Sequence, residues 1–300
     1  PGAEADLAEQ VKADIGRGHG HAEGGKQLQH GRCQKRDLEH RHGAAAQGFG
    51  DLVVSPTRVE LEGRNRSATV TLTNRGSETA LFRISLIAME MDEQGSLKAV
   101  DQPPAGMMTA EELVRYAPRQ VDIPPGGTQT VRLILRKPTE LAAGEYRSHM
   151  FFRAVPPEDA GRAVDEKTGQ GGVSVKLTPI FGITIPVIVR HGDLDLKVAM
   201  SDFAVVPDKE KKKLTFKLSR QGTKSAYGDV KVEYLPAGGG APVVVGEVTR
   251  LAVFTPNTDR MVEVPLVVPP GITLGKGMLK VLYRQVDGDT TLASGEVTLP

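Results

Sequence analysis

Few residues of this 300-residue chain have the types and spacing that catalysis requires. It contains no Gly-x-Ser-x-Gly elbow, no P-loop and no GxGxxG fingerprint. From residue 50 onward the only histidines are His149 and His191, so a His-based triad or metal centre has little to draw on. Cys33 is the only cysteine, which excludes an internal disulfide and a Cys-rich zinc site. We therefore expect no enzyme, no catalytic residue, no metal and no cofactor.

The remaining polar motifs have ordinary structural explanations. His149 falls in a strand pattern, which favours a structural or surface role over that of a general base. A basic run is typical of a solvated hairpin edge, with a patch for a partner as the alternative; it comprises Lys209, Lys211, Lys212 and Lys213. The histidines near the start match no standard metal-site spacing; they are His19, His21, His30, His40 and His42.

Arg58 is the one basic residue whose position indicates a binding role. It follows Pro56 in the segment SPTRVEL, and a proline inside a strand pattern indicates an edge strand or a switch between sheets. An arginine just after such a kink could project into a cleft and bind a carboxylate through two parallel hydrogen bonds. An ordinary surface arginine is the alternative.

A row of alternating apolar residues begins at Val173 and continues through Val175 and Leu177. It follows a long polar loop, residues 156–172, and opens the longest predicted strand, residues 173–190. Such a row is commonly half of a buried strand. An over-long strand can also offer its edge and its alternate side chains to a partner, which is β-augmentation.

The elements around these residues are predicted to be β-strands, because apolar residues alternate with polar ones between Gly, Pro and Asn turns. The 34 glycines and 20 prolines favour many turns and short strands. About seven runs occupy residues 50–190, as an antiparallel β-sandwich requires, and similar runs fill residues 191–300. One short helix is predicted, at Thr109–Arg115, from a capping box of Thr109 and Glu112. The fold class is therefore all-β, with two sandwiches in tandem.

The first 49 residues lack a sustained period and are predicted to be a disordered tail outside the fold, a processed leader or a mis-called start. The formal net charge of +1 offers no basic field for nucleic acid. The longest apolar stretch, Leu177 to Val189, is too short to span a bilayer and contains prolines. We expect neither nucleic-acid binding nor membrane insertion.

Five segments together resemble the PapD-like periplasmic chaperones of chaperone–usher pilus assembly. Their order and spacing carry the likeness: SPTRVELEG, SATVTLTNRGSETALFRI, PRQVDIPPGGTQTVRLI, YRSHMFFRAVPP and ITIPVIVR. The resemblance covers about residues 52–190 and extends more weakly to the C-terminus. It implies two immunoglobulin-like domains, residues 50–190 and 191–300, set at an angle.

The resemblance also implies a function and a set of partners. Family members lend a strand to an incomplete pilus or surface-fibre subunit, which is donor-strand complementation, and work with an outer-membrane usher in the periplasm. Arg58 then corresponds to the anchor for the subunit's C-terminal carboxylate. The donor residues would be Val173, Val175, Leu177, Phe181 and Ile183. A dimer capped through the same edge and a structural or adhesive two-domain protein of the cell envelope remain alternatives.

One position departs from the family pattern, which has a lysine in the long strand beside the anchoring arginine. The matching residue here is Gly182 or Thr184, and neither is basic. Lys176 lies six to eight residues earlier, roughly 20 Å away along a strand. The departure predicts a divergent member in which Arg58 acts alone, or with another arginine, or in which the subunit is held differently.

Overall fold

The computed structural model describes residues 52–156, 182–208, 211–286 and 288–300. The predicted tail lies outside these ranges, as does all but the first residue of the predicted polar loop. Four of the five predicted donor residues also lie outside them: Val173, Val175, Leu177 and Phe181. All regular secondary structure within the described ranges is β-strand. None of the described residues forms a helix long and apolar enough to cross a membrane.

Among the described residues, eleven strands lie within 52–191, and nine of them form the two sheets of the first sandwich. The eleven strands are β1 (Leu52–Ser55), β2 (Val59–Leu61), β3 (Ser67–Asn74), β4 (Ala80–Ile87), β5 (Met89–Met91), β6 (Leu97–Ala99), β7 (Val114–Ala117), β8 (Gln120–Ile123), β9 (Thr128–Leu135), β10 (Gly144–Val155) and β11 (Gly182–His191). One sheet has the order β1-β3-β9-β7 and the other β2-β11-β10-β4-β8. Strands β5 and β6 form a separate hairpin.

Seven strands build the second sandwich. They are β12 (Leu196–Asp208), β13 (Lys211–Gly222), β14 (Ala226–Pro236), β15 (Val243–Val253), β16 (Asp259–Leu266), β17 (Gly277–Gln285) and β18 (Thr291–Leu299). Its two sheets have the orders β12-β13-β16 and β15-β14-β17-β18. The chain is thus an all-β protein of two sandwiches in tandem, as the sequence predicts.

Period-two alternation places the apolar side chains of each sandwich in a core of its own. In the first core, Val70 and Leu72 of β3 pack with Val131 and Leu133 of β9, and all four are fully buried. The second core is built in the same way around Phe216 of β13 and residues of the facing sheet. Each sandwich therefore buries apolar surface without help from the other, which is the main stabilising term in folding.

The chain changes sheets at Pro56, as a proline in that strand pattern predicts. Strand β1 pairs antiparallel with β3 in one sheet, up to Ser55. Strand β2 begins at Val59 and pairs parallel with β11 in the other sheet, with Val59 opposite Val187. Arg58 lies in the crossing segment just before β2, which places it at the margin of the sandwich.

The predicted helix at Thr109–Arg115 does not form. Residues 111–113 make a single turn, in which the Val114 amide donates to the Ala110 carbonyl oxygen at 3.0 Å, and the chain then enters β7. The backbone N–H of Ala110 donates instead to the buried Ser148 hydroxyl oxygen at 3.0 Å. Pairing of Val114 with Leu135 in β9 draws the segment into the sheet, so tertiary contacts override local helix propensity.

Candidate binding site between the two sandwiches

A small apolar cluster joins the two sandwiches. Met91 and Ile188 of the first sandwich pack with Ala252 and Phe254 of the second, and all four are buried. Asn257 donates from Nδ2 to the Met91 carbonyl oxygen at 2.8 Å. Apolar packing and a hydrogen bond to a backbone carbonyl therefore both hold the first sandwich against the second.

A buried ionic network reinforces this junction. The carboxylate of Glu145 accepts from Arg190 Nε at 3.0 Å and from the backbone N–H of Ser225 at 3.2 Å. The Ser225 hydroxyl also donates to it. The Glu145 side chain is fully buried, so these hydrogen bonds compensate the cost of removing its charge from water. Because Ser225 belongs to the second sandwich, Glu145 of β10 binds both sandwiches at once.

An open cavity of about 560 Å³ lies beside this network; we call it the interdomain cleft. Its walls come from both sandwiches: Ser55, Pro56, Thr57, Arg58, Glu60, Arg190, Leu196, Lys224, Ser225, Tyr227, Arg250, Gln285, Val286 and Leu292. Four of these side chains are cationic and only Glu60 is acidic. The cleft therefore favours an anion.

Arg58, the predicted anchor, lines this cleft with incomplete hydrogen bonding. Its Nε donates to Glu60 Oε1 at 2.6 Å, and its guanidinium carbon lies 4.0 Å from the centroid of the Tyr227 ring. Both terminal nitrogens are buried without an acceptor among the described residues. An unpaired buried donor costs about 1–3 kcal/mol, so an arriving acceptor at this position would be stabilised.

Arg190, by contrast, is fully engaged. Besides Glu145 it binds Glu60 at 2.8 Å and Glu62 at 3.2 Å through Nη1. Burial acts to raise the pKa of Glu60, but the positive charges of Arg58 and Arg190 outweigh it and hold that pKa below its ordinary value. Glu60 therefore stays ionised and keeps the two arginines fixed.

His149 is a buried residue of β10 rather than a surface residue. Its ring stands edge-on to Phe254, with 6.0 Å between centroids, and its Nδ1 lies 3.5 Å from Arg147 Nη1. Burial, with a smaller contribution from the charge of Arg147, lowers the pKa of His149 to about 3. Burial also lowers the pKa of Arg147 to about 10.

The outer edge of β11 is partly open. Strand β2 covers only Val187–Val189, whereas β10 pairs with the whole of Gly182–His191 on the other side. Among the described residues no strand pairs with the outer edge of Gly182–Pro186. Ile183, the one predicted donor residue in the described ranges, is half-buried and packs on the core of its own sandwich.

Strand β2 begins one residue after Arg58, with Val59 opposite Val187 of β11. Neither Gly182 nor Thr184 of β11 lines the interdomain cleft. The cations that do share the cleft with Arg58 are Arg190, Lys224 and Arg250, and no sequence pattern singled these out.

The other candidate motifs lie away from this cleft. Lys213, half-buried near the start of β13, pairs with the exposed Glu263 on the neighbouring strand at 2.8 Å. In the part of the chain that the structure describes, no group of three or more His, Cys, Asp or Glu residues is placed to hold a metal. His19 and Cys33 lie outside the described residues.

Two β-sandwiches in tandem place the chain in the class of two-domain immunoglobulin-like proteins. A cation-rich cleft lies between the two sandwiches. Residues 51–190 match the family model for pili and flagellar-assembly chaperones, PapD N-terminal domain. This match covers the first sandwich and just under half of the chain.

Solved chaperone structures resemble the chain at low sequence identity. The YadV chaperone is 17% identical, with 83% of this chain and 100% of that chain covered and a TM-score of 0.40. The CupB2 chaperone of Pseudomonas aeruginosa is 13% identical, with 83% and 100% covered and a TM-score of 0.39. A chain from the complex of the Salmonella enterica SafA pilin with the SafB chaperone is 15% identical, with 85% and 99% covered and a TM-score of 0.39. No curated protein sequence matches the chain.

Proposed function

We propose that this protein is a periplasmic chaperone that binds incomplete pilus or surface-fibre subunits by donor-strand complementation and passes them to an outer-membrane usher. The family of residues 51–190 supports the chaperone role and the periplasmic location. An open subunit groove exposes unpaired strand edges and apolar surface, and both promote aggregation. A strand lent by the chaperone covers both.

The observation that carries the proposal is the state of Arg58. Its two terminal nitrogens lack acceptors among the residues that the structure describes, and it lines a cleft whose other charges are mainly positive. A C-terminal carboxylate has two oxygens that fit the parallel N–H groups of a guanidinium. Bound there, the carboxylate would fix the register of the subunit against β11.

The open edge of β11 supports the second half of the proposal. Gly182–Pro186 has free main-chain groups on its outer side within the described ranges, and these can extend a sheet into a partner. Val173, Val175 and Leu177 precede that edge at the parity of Ile183. Each aliphatic side chain buried in a subunit groove would contribute roughly 1.5–3 kcal/mol. No nucleotide is required.

Affinity capture from the native periplasm tests this function. Tagged wild-type protein is compared with Arg58→Ala and with the double variant Val175→Asp/Leu177→Asp, and captured proteins are identified by mass spectrometry. Val267→Asp is the matched control, because Val267 is 62% exposed in the second sandwich and does not line the interdomain cleft.

We expect a small β-rich subunit to be held by wild type and by Val267→Asp and to be lost from both other proteins. Circular dichroism establishes that each variant is folded. Retention of that subunit by the double variant would contradict strand donation. Capture of no subunit by folded wild type, with fibre genes expressed, would favour the structural or adhesive alternative.

A further inference from the structure

The three arginines of the interdomain cleft differ in how available they are to a ligand. The terminal nitrogens of Arg58 are buried, with the Tyr227 ring against the guanidinium. Arg190 is only 5% exposed and binds three carboxylates. Arg250 is exposed. An anion that enters from solvent therefore reaches Arg250 before Arg58.

A β-bulge aims Arg250 at the cleft. Gly228 of β14 pairs with Leu251 of β15, and Val230 pairs with Val248, so two residues of β15 oppose the single residue Asp229. Bulges redirect side chains and are frequent beside functional sites. Here the redirected side chain is that of Arg250, which lines the cleft.

The backbone at this bulge is held in an unfavourable conformation. Arg250 has a φ of 57°, in the left-handed region that non-glycine residues rarely adopt. The Asp229 carboxylate stabilises it by accepting a hydrogen bond from the Arg250 backbone N–H at 2.6 Å. Glycine would adopt this φ without a steric cost, so the backbone conformation itself does not call for an arginine.

The guanidinium of Arg250 reaches across to the first sandwich. Its Nη1 donates to Thr57 Oγ1 at 3.2 Å, and Thr57 directly precedes Arg58. Burial raises the pKa of the Tyr227 hydroxyl, while the positive charges of Arg58 and Arg250 oppose that rise. The positive charges of both guanidinium groups, one from each sandwich, therefore act on Tyr227.

We propose that Arg250 is a second anion contact, which meets a polypeptide C-terminal carboxylate at the mouth of the cleft and shares it with Arg58. The proposal rests on the proposed function and adds a contact from the second sandwich. Apolar side chains from that same sandwich line the cleft beside Arg250, where they can hold the last side chain of a polypeptide; they are Leu196, Val286 and Leu292.

Fluorescence anisotropy with two synthetic peptides tests this role. The probes are a labelled peptide of alternating valine and threonine that ends in phenylalanine with a free carboxylate, and the same peptide ending in an amide. Wild type is compared with Arg250→Gly, Arg250→Lys and Arg58→Ala. Arg75→Ala is the control for loss of one positive charge, because Arg75 is exposed and lies outside the cleft.

We expect wild type and Arg75→Ala to prefer the carboxylate peptide by about tenfold or more, and Arg250→Gly to lose most of that preference without weaker binding of the amide. Arg250→Lys should retain part of it, because it keeps the charge but not the planar fork. Urea unfolding should find Arg250→Gly at least as stable as wild type.

The other outcomes separate this inference from the proposed function. If Arg58→Ala abolishes the preference and Arg250→Gly does not, the role of Arg250 is refuted and the Arg58 anchor stands. Equal weakening of both peptides by Arg250→Gly would mean a structural role only. No preference in wild type, or no binding of either peptide, would overturn the carboxylate anchor and with it the role of Arg250.

Discussion

Two largely buried arginines, Arg58 and Arg147, lie at the junction between the sandwiches. Arg58 and Arg147 both place their guanidinium groups near the Phe254 ring, at 5.8 Å and 4.5 Å from its centroid. Arg147 donates from Nη1 to the Met89 carbonyl oxygen at 2.9 Å. Two like charges around one ring are costly unless an anion is near. Backbone oxygens accept from both terminal nitrogens of Arg147, which leaves only its Nε without an acceptor among the described residues, whereas both terminal nitrogens of Arg58 lack one there.

His149 makes the folded protein sensitive to acid. Its pKa is about 3 in the folded protein and near 6.5 in the unfolded chain, so below pH 6.5 the unfolded state takes up the proton first. Stability should therefore fall as pH drops from about 6.5 toward 3, by up to ~1.4 kcal/mol per pH unit. Urea unfolding at pH 7, 6 and 5 should show a shallower loss for His149→Phe than for wild type.

His191→Gln is the control for that measurement, because it changes the other described histidine, which lies half-buried beside Lys137. It should retain the acid sensitivity of wild type. The same pH dependence in wild type and His149→Phe would show that His149 is not responsible.

Among the elements, the hairpin of β5 and β6 extends from the first sandwich and contacts the second sandwich. The backbone N–H of Met261 donates to the Glu93 carbonyl oxygen at the hairpin tip, at 2.7 Å. Gly95 lies directly against the Arg260 guanidinium, and Arg260 Nη1 donates to the Ala252 carbonyl oxygen at 2.6 Å. The absence of a side chain at Gly95 lets Arg260 keep that bond.

Gly95→Ala should separate this contact from backbone strain. Its Cβ would displace the Arg260 guanidinium, while Gly126→Ala adds a Cβ at a similarly positive φ with open space around it. We expect Gly95→Ala to lower the free energy of unfolding by about 1.5–3 kcal/mol more than Gly126→Ala does, because a hydrogen bond to a charged group is lost. Equal losses in urea unfolding would mean that Arg260 moves aside without cost.

The strands could be predicted from the sequence because apolar residues, which face the core, alternate along each strand with polar residues, which face solvent. Val59 and Leu61, for example, are buried as their spacing predicts. The helix prediction at Thr109 failed because the Ser148 hydroxyl and the pairing of Val114 decide that segment, and neither is local in sequence.

The cleft could be predicted only in part. The kink at Pro56 pointed to Arg58, whereas Arg250 gave no signal. Its placement depends on a bulge opposite Asp229, twenty-one residues earlier in the chain. An isolated arginine in an alternating strand is typical of a surface residue, so only the packed sheet reveals its direction.

At the scale of the whole molecule, Glu145 is a buried charged residue that bonds to both sandwiches. Glu145→Gln keeps the shape but removes the charge that binds Arg190 and Ser225. Arg190 would still have Glu60 and Glu62, so we expect a loss of about 1–3 kcal/mol rather than collapse. Glu62→Gln, which removes an exposed partner of Arg190, should cost about 0–1 kcal/mol.

Small-angle X-ray scattering adds the orientation of the sandwiches to these unfolding data. Glu145→Gln should broaden the distribution of interdomain distances, and Glu62→Gln should leave it unchanged. Equal stability of the two variants, with unchanged scattering, would show that the junction does not depend on the charge of Glu145.

The sheet switch at Pro56 sets how much of the β11 edge the first sandwich covers with its own chain. Because β2 starts only at Val59, it pairs with Val187–Val189, and no described strand pairs with the outer edge of Gly182–Pro186. Moving the proline toward the N-terminus would lengthen β2 and cover that edge residue by residue. The length of the uncovered edge is thus set some 130 residues away in sequence, at the start of the fold.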